Sequence, residues 1–191
     1  PEYRDTIREY LEVALLTVTF RTEAKQNRLI ELIHRAIPYP VALIATYSDA
    51  ISLSLAHKRW SQGEIGTVVI EDIRQTDPLR QDAPSKEESA FLDSLALARL
   101  SRQNLFALYQ AWLNCIAALE AAKITGAFVS PASADHAANL RDSLEAHARL
   151  RRDIAALRTQ AEKEKQLNRR VQLNLEIKRL ELELAVTEKT L

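Results

Sequence analysis

No methionine occurs in the 191 residues, cysteine occurs once, glycine three times and proline six times. Each scarcity excludes something. A single thiol cannot close an intrachain disulfide. Cys115 sits among Trp112, Leu113, Ile116 and Leu119, so it reads as a small core residue of a reducing, cytoplasmic compartment. Three scattered glycines offer neither a phosphate-cradling loop nor the tight elbow that exposes a nucleophilic serine. No uncharged apolar run reaches about 18 residues, so no membrane span is expected. No signal-peptide pattern opens the chain. The absent initiator and the opening Pro1-Glu2-Tyr3 read as a fragment with native residues upstream. Basic and acidic residues number 26 each. That balance argues against a chain-wide grip on nucleic acid and leaves only local patches.

Helix formers are abundant: leucine, alanine, glutamate and arginine dominate the second half. The first half alternates instead. Residues 9–21 read as a strand with Leu16, Val18 and Phe20 on one face. Thr22 is placed to cap a helix to about Ala36, with Leu29, Ile30, Ile33, Ala36 and Ile37 as its buried stripe. Pro38 and Pro40 stop it, and Val41–Ala45 follows as an interior strand. After a Ser48-Asp49 turn, Ile51, Leu53 and Leu55 alternate with Ser52, Ser54 and Ala56, predicting a strand with one buried face. Val68 to about Ile73 makes another. The fold class expected is therefore α+β: a small mixed α/β sheet unit (1–77, strand-helix-strand-strand-strand), then a long helical hairpin or coiled coil. Residues 78–86 form a linker, 87–130 a long packing helix ended by Gly126, and 131–191 a long helix capped by Ser133 or Asp135.

That last helix carries a leucine stripe: Leu173, Ile177, Leu180, Leu184, Thr187 and Leu191. Alternating spacings of four and three keep one apolar seam, which must bury against another helix. His147, Leu150, Ile154, Leu157 and Ala161 hold a second register, separated from the first by the polar run Glu162–Arg170. The break marks a distorted coiled coil, a hinge, or the point where the helix leaves the body, the last being favoured. Oligomerisation is assigned to Leu173, Ile177, Leu180, Leu184 and Leu191, giving a homodimer. Deleting residues 171–191 is expected to convert dimer to monomer in light scattering.

Tests for chemistry find no assignable catalytic, cofactor or metal residue. His34, His57, His136 and His147 lie on separate elements without metal-ligand spacing. A metal-dependent nuclease needs carboxylates at adjacent strand ends, commonly with a lysine; Glu12, Asp49, Glu71 and Asp72 are candidates, yet no strand offers Glu-x-Lys. Lys163, Lys165, Arg169 and Arg170 could contact nucleic acid, but they are interleaved with Glu162 and Glu164 and lack stacking aromatics.

Several segments then resemble a known group. They are Ala36–Pro40, Asn104–Trp112 with its Tyr109 and Gln110, Ala118–Gly126, and Gln166–Asn174. Together they resemble a bacterial family catalogued only as domain of unknown function 4391. The resemblance covers most of the chain from about Tyr10. It implies no transferable catalytic residue. It implies an accessory protein found beside helicase and DNA methyltransferase genes in restriction or phage-defence loci, which makes those enzymes the expected partners. Relatives tend to carry a lysine where this chain has Arg21. The function expected is a non-enzymatic accessory or scaffold subunit; the alternative is a nucleic-acid-binding adaptor or metal-dependent nuclease.

Overall fold

The computed structural model describes residues 1–22, 25–64 and 66–191. Its elements in chain order are β1 (Tyr3–Arg4), β2 (Glu9–Tyr10), β3 (Ala14–Thr19), α1 (Gln26–Ala36), β4 (Val41–Tyr47), β5 (Ala50–Trp60), β6 (Val68–Gln75), β7 (Leu79–Arg80), α2 (Lys86–Ser94), a 3-10 turn (Leu97–Arg99), α3 (Leu105–Thr125), α4 (Ala134–Lys163) and α5 (Leu167–Glu188). The α+β class holds. The chain divides into two compact units, residues 1–119 and 120–191.

In the first unit the main sheet runs β3-β4-β5-β6, with β7 also pairing β5. β3 and β4 are parallel and joined through α1; the other pairs are antiparallel. The strand expected over 9–21 is two pieces. Its start pairs with residues 3–4 in a separate ribbon, and only 14–19 enters the sheet. The residues expected to link sheet and helices contribute β7, which continues the β6 edge of β5. Thr76 splices the two: its N–H donates to Leu53 O (2.9 Å) and its hydroxyl accepts from Leu53 N (3.0 Å).

Both faces of β5 are covered, not one. Successive side chains point to opposite sides. Ser54 bonds His34 of α1, while His57 bonds Gln110 of α3, so helices flank the sheet on both sides. On the α1 side, Ile30, Val41, Leu43 and Ala45 form a core joined by Leu16, Val18, Phe20, Ile33 and Ile37. Leu29 and Ala36, expected in that stripe, are exposed, and His34 takes the buried place. Thr22 does not cap α1. Lys25 occupies that position with a left-handed φ of 66°, and residues 23–24 of the expected helix start lie outside the described residues.

The long helix expected from Glu87 is also interrupted. Ser85 forms a reciprocal capping box with Glu88 at the start of α2, and Asn104 Oδ1 accepts from Ala107 N (2.8 Å) to start α3 afresh. Gly126 adopts φ 77° just past α3, the left-handed conformation that suits glycine, and donates to Ala122 O (2.8 Å). Among the described residues, α3 is the one helix long and apolar enough to cross a membrane by length and composition. Its Tyr109, Leu113, Ile116 and Leu119 are nevertheless buried, as in a core helix.

Candidate functional site

In the second unit the helix expected over 131–191 is two helices. Ser133 caps α4, its hydroxyl accepting from His136 N (3.1 Å). At Glu164 the backbone turns extended (ψ 123°), and α5 begins at Leu167. Glu164 Oε1 accepts from Gln166 N (2.9 Å), placing a carboxylate where the dipole of α5 favours it. Three cross-links fix the direction: Arg158–Glu181 (2.6 Å), His147–Glu188 (3.4 Å) and Ser143–Thr190 (3.1 Å). As one partner's number rises the other's falls, so α4 and α5 are antiparallel.

Between them lies a single apolar seam. Leu150, Ile154 and Ala161 of α4 are buried with Ile177 and Leu180 of α5, and Leu157, Leu173 and Leu184 pack around them. The stripe expected to receive a partner helix is thus filled by α4 of the same chain. The two registers separated by the polar run meet each other because the chain reverses within that run. Leu191, at the chain end, is half-buried. Asn168 and Asn174 are exposed, outside the seam, so they set no register there.

The same reversal has two consequences at the surface. Lys163, Lys165, Arg169 and Arg170 gather at the hairpin tip, all exposed, with Arg169 close to Glu164 (3.6 Å). On α5, a second apolar stripe emerges. Leu167 (64% exposed), Val171 (49%), Leu175 (63%), Leu182 (72%) and Val186 (63%) fall on one face. At 3.6 residues per turn this face lies roughly 170° from the buried seam. The signal was present in the sequence, since 167, 171, 175, 182 and 186 are themselves at helical spacing. A stripe beside a longer leucine pattern escapes notice until one face is known to be occupied.

The first unit holds a polar network of a different kind. Tyr109 is fully buried, and its hydroxyl donates to Val41 O (2.7 Å) and accepts from Ala56 N (2.8 Å), stitching β4 to β5. A chain of hydrogen bonds runs beside it. The Tyr10 hydroxyl meets His57 Nδ1, His57 Nε2 meets Gln110 Oε1 (2.9 Å), and Gln110 donates to Asn114 Oδ1 (3.0 Å). Burial raises the phenol pKa of Tyr10 and of Tyr109, so both stay neutral. Trp112 donates to Leu95 O (3.2 Å). The Asn104–Trp112 segment therefore anchors α3.

Across the sheet, Lys58 is 4% exposed and its ammonium donates to Ile37 O and Tyr39 O (2.7 Å), carbonyls just beyond α1. A cation there suits the negative end of the helix dipole. Burial still pushes the ammonium down to about 8. His34, fully buried, is pushed down to about 4 by burial and by the charge of Lys58. Its Nε2 meets Ser54 Oγ (2.9 Å), and its Nδ1 has no hydrogen-bond partner. A cleft of about 120 Å³ bordered by Pro38, Tyr39, Lys58 and Trp60 is smaller than ordinary ligand pockets, which span roughly 300–1,000 Å³. Both X-Pro bonds there are trans.

The nuclease carboxylates do not converge. Glu71 is held by Arg8 (3.2 Å) and Arg59 (3.7 Å), Asp72 by Arg74 (2.7 Å), and Asp49 lies near Arg80 (3.6 Å). Glu12 borders the small cleft. The β5–β6 register shift beside His57 leaves Glu71 as the unpaired residue. Among the described residues no group of three or more His, Cys, Asp or Glu is placed to hold a metal ion.

Residues 1–184 match the family model described as Domain of unknown function (DUF4391). The chain belongs to this family. No curated protein matches it, and no solved structure does. The match spans residues of both units.

Proposed function

We propose that the protein is a non-enzymatic accessory or scaffold subunit whose C-terminal hairpin is a docking arm. The setting proposed is a bacterial, cytoplasmic DNA-processing or phage-defence complex, with a helicase or DNA methyltransferase as partner. One observation carries the reading. After α4 has covered the Leu173–Leu184 seam, α5 still exposes a second line of large apolar side chains. Isolated exposed leucines are ordinary, but five at helical spacing on one face form the kind of stripe that protein partners cover.

The test is co-purification of the full chain with any helicase or DNA methyltransferase encoded near it in its native genome. Leu175→Glu with Leu182→Glu should abolish recovery without changing the circular dichroism spectrum. Recovery that survives both substitutions would remove the hairpin from the docking role. Mg²⁺-dependent DNA cleavage by the purified chain, lost in Glu71→Gln, would replace the accessory reading with an enzymatic one.

A second reading, a nucleic-acid adaptor, draws on the gathering of Lys163, Lys165, Arg169 and Arg170 at the hairpin tip. These cations lie at the N-terminal end of the exposed stripe, so both surfaces belong to the same arm.

A further inference from the structure

The exposed stripe also fits a second copy of this chain, which would compete with the partner proposed above for the same face; this step rests on the docking-arm reading. Between Leu175 and Leu182 one helical position is skipped, and Lys178 occupies it. With Lys178 included, the residues 167, 171, 175, 178, 182 and 186 are spaced 4-4-3-4-4, which reads identically from either end. A parallel copy matches any stripe position for position; this spacing lets a copy running antiparallel match it as well. Leu167 then faces Val186, Val171 faces Leu182, and Leu175 faces Lys178.

Charge selects the antiparallel orientation. Arg169 and Arg170 flank the start of α5, whereas Glu181, Glu183 and Glu188 crowd its end. An antiparallel pair sets basic beside acidic ends; a parallel pair sets like beside like. Flanking positions on the same side of the stripe meet in antiparallel pairing, which brings Arg170 of one copy near Glu181 of the other. Arg158 engages Oε1 of Glu181, and a carboxylate can serve a second arginine through its other oxygen. At the centre, the Lys178 stem can lie over Leu175 of the other copy while its ammonium reaches water.

We infer that the outer face of α5 recognises itself: two copies of the chain pack antiparallel about a two-fold axis passing between Leu175 and Lys178. The five apolar residues and their flanks would bury on the order of 1,000 Å² in total, the lower edge for a specific interface. The dimer is therefore weak and concentration-dependent.

Sedimentation of the full chain over a concentration series tests this. Wild type should pass from monomer to dimer. Leu175→Glu with Leu182→Glu should abolish the dimer, and Lys178→Leu should tighten it at least about tenfold by replacing a central charge with an apolar contact. A chain monomeric at every soluble concentration, or a Lys178→Leu variant no tighter than wild type, overturns the inference. Orientation is read from single cysteines under mild oxidation. Leu175→Cys, near the axis, should cross-link to itself, and Leu167→Cys should not, its copies lying about 30 Å apart along the paired helices. Ready self-linking at residue 167 overturns the antiparallel arrangement. The two readings separate cleanly. A monomeric wild type whose partner recovery is lost in the double glutamate variant sinks self-pairing alone, while recovery indifferent to that variant sinks the docking arm.

Discussion

His34 shows how one buried polar side chain ties stability to pH. Its imidazole is fully buried and its pKa sits at about 4, below the ordinary value near 6.5. Between those values the unfolded chain takes up a proton that the folded chain refuses. Stability contributed by this site is therefore intact above about pH 6.5 and falls as pH drops towards about 4. The full loss is on the order of 3 kcal/mol. Urea midpoints measured at pH 7, 5.5 and 4 should fall steeply for wild type, and His34→Gln should flatten that window. Equal slopes in the two proteins would contradict the assignment. Lys58 behaves in the same sense at the alkaline side, since its folded pKa of about 8 lies under the free lysine value. None of this was legible in the sequence. A histidine at position 34 breaks the apolar spacing of α1, so a reading by hydrophobicity favoured Leu29 and Ala36, both of which are exposed. Only the partner strand, with Ser54 facing His34, explains the burial.

At the scale of the element, α5 carries two apolar faces of opposite fate. Ile177 is 7% exposed in the seam with α4, and Leu182 is 72% exposed on the outer face. Ile177→Ala should cost about 2–4 kcal/mol through lost burial and an unfilled cavity. Leu182→Ala should stay within about 0.5 kcal/mol in the monomer. Thermal unfolding of dilute samples checks both, and similar costs at the two positions would contradict the assigned faces. The Leu173–Leu184 periodicity correctly announced a helix with a seam. It did not announce where the helix breaks, because Glu164-Lys165-Gln166 contains neither glycine nor proline. Intrinsic propensity permits a continuous helix there. The reversal is decided by the burial available when the Leu150–Ala161 register meets the Leu173–Leu184 register. The interruption before α3 was more legible, since Asn104 is a residue type that caps helices.

Across the whole molecule, the balance of 26 basic and 26 acidic residues confines any nucleic-acid contact to a local patch. The hairpin tip carries four exposed cations. If its four cations each neutralise a phosphate, affinity for duplex DNA should fall with a log–log salt slope of about −3.6. Fluorescence anisotropy between low and moderate salt measures this, and replacing Lys163, Lys165, Arg169 and Arg170 with glutamine should remove the binding. Absence of binding at low salt would dismiss the adaptor reading. The sequence by itself determined the fold class and the strand or helix character of most segments, though not where they break: alternation wrote the strands, the 3.6-residue period wrote the helices, and ordered motifs marked the family. These are local properties, carried by spacing along the chain. Tertiary structure decided which apolar face is consumed and which is left, which carboxylates stand apart on separate arginines, and which serine meets a histidine. Those outcomes depend on residues far apart in sequence, and a period in one segment does not say which other segment will cover it.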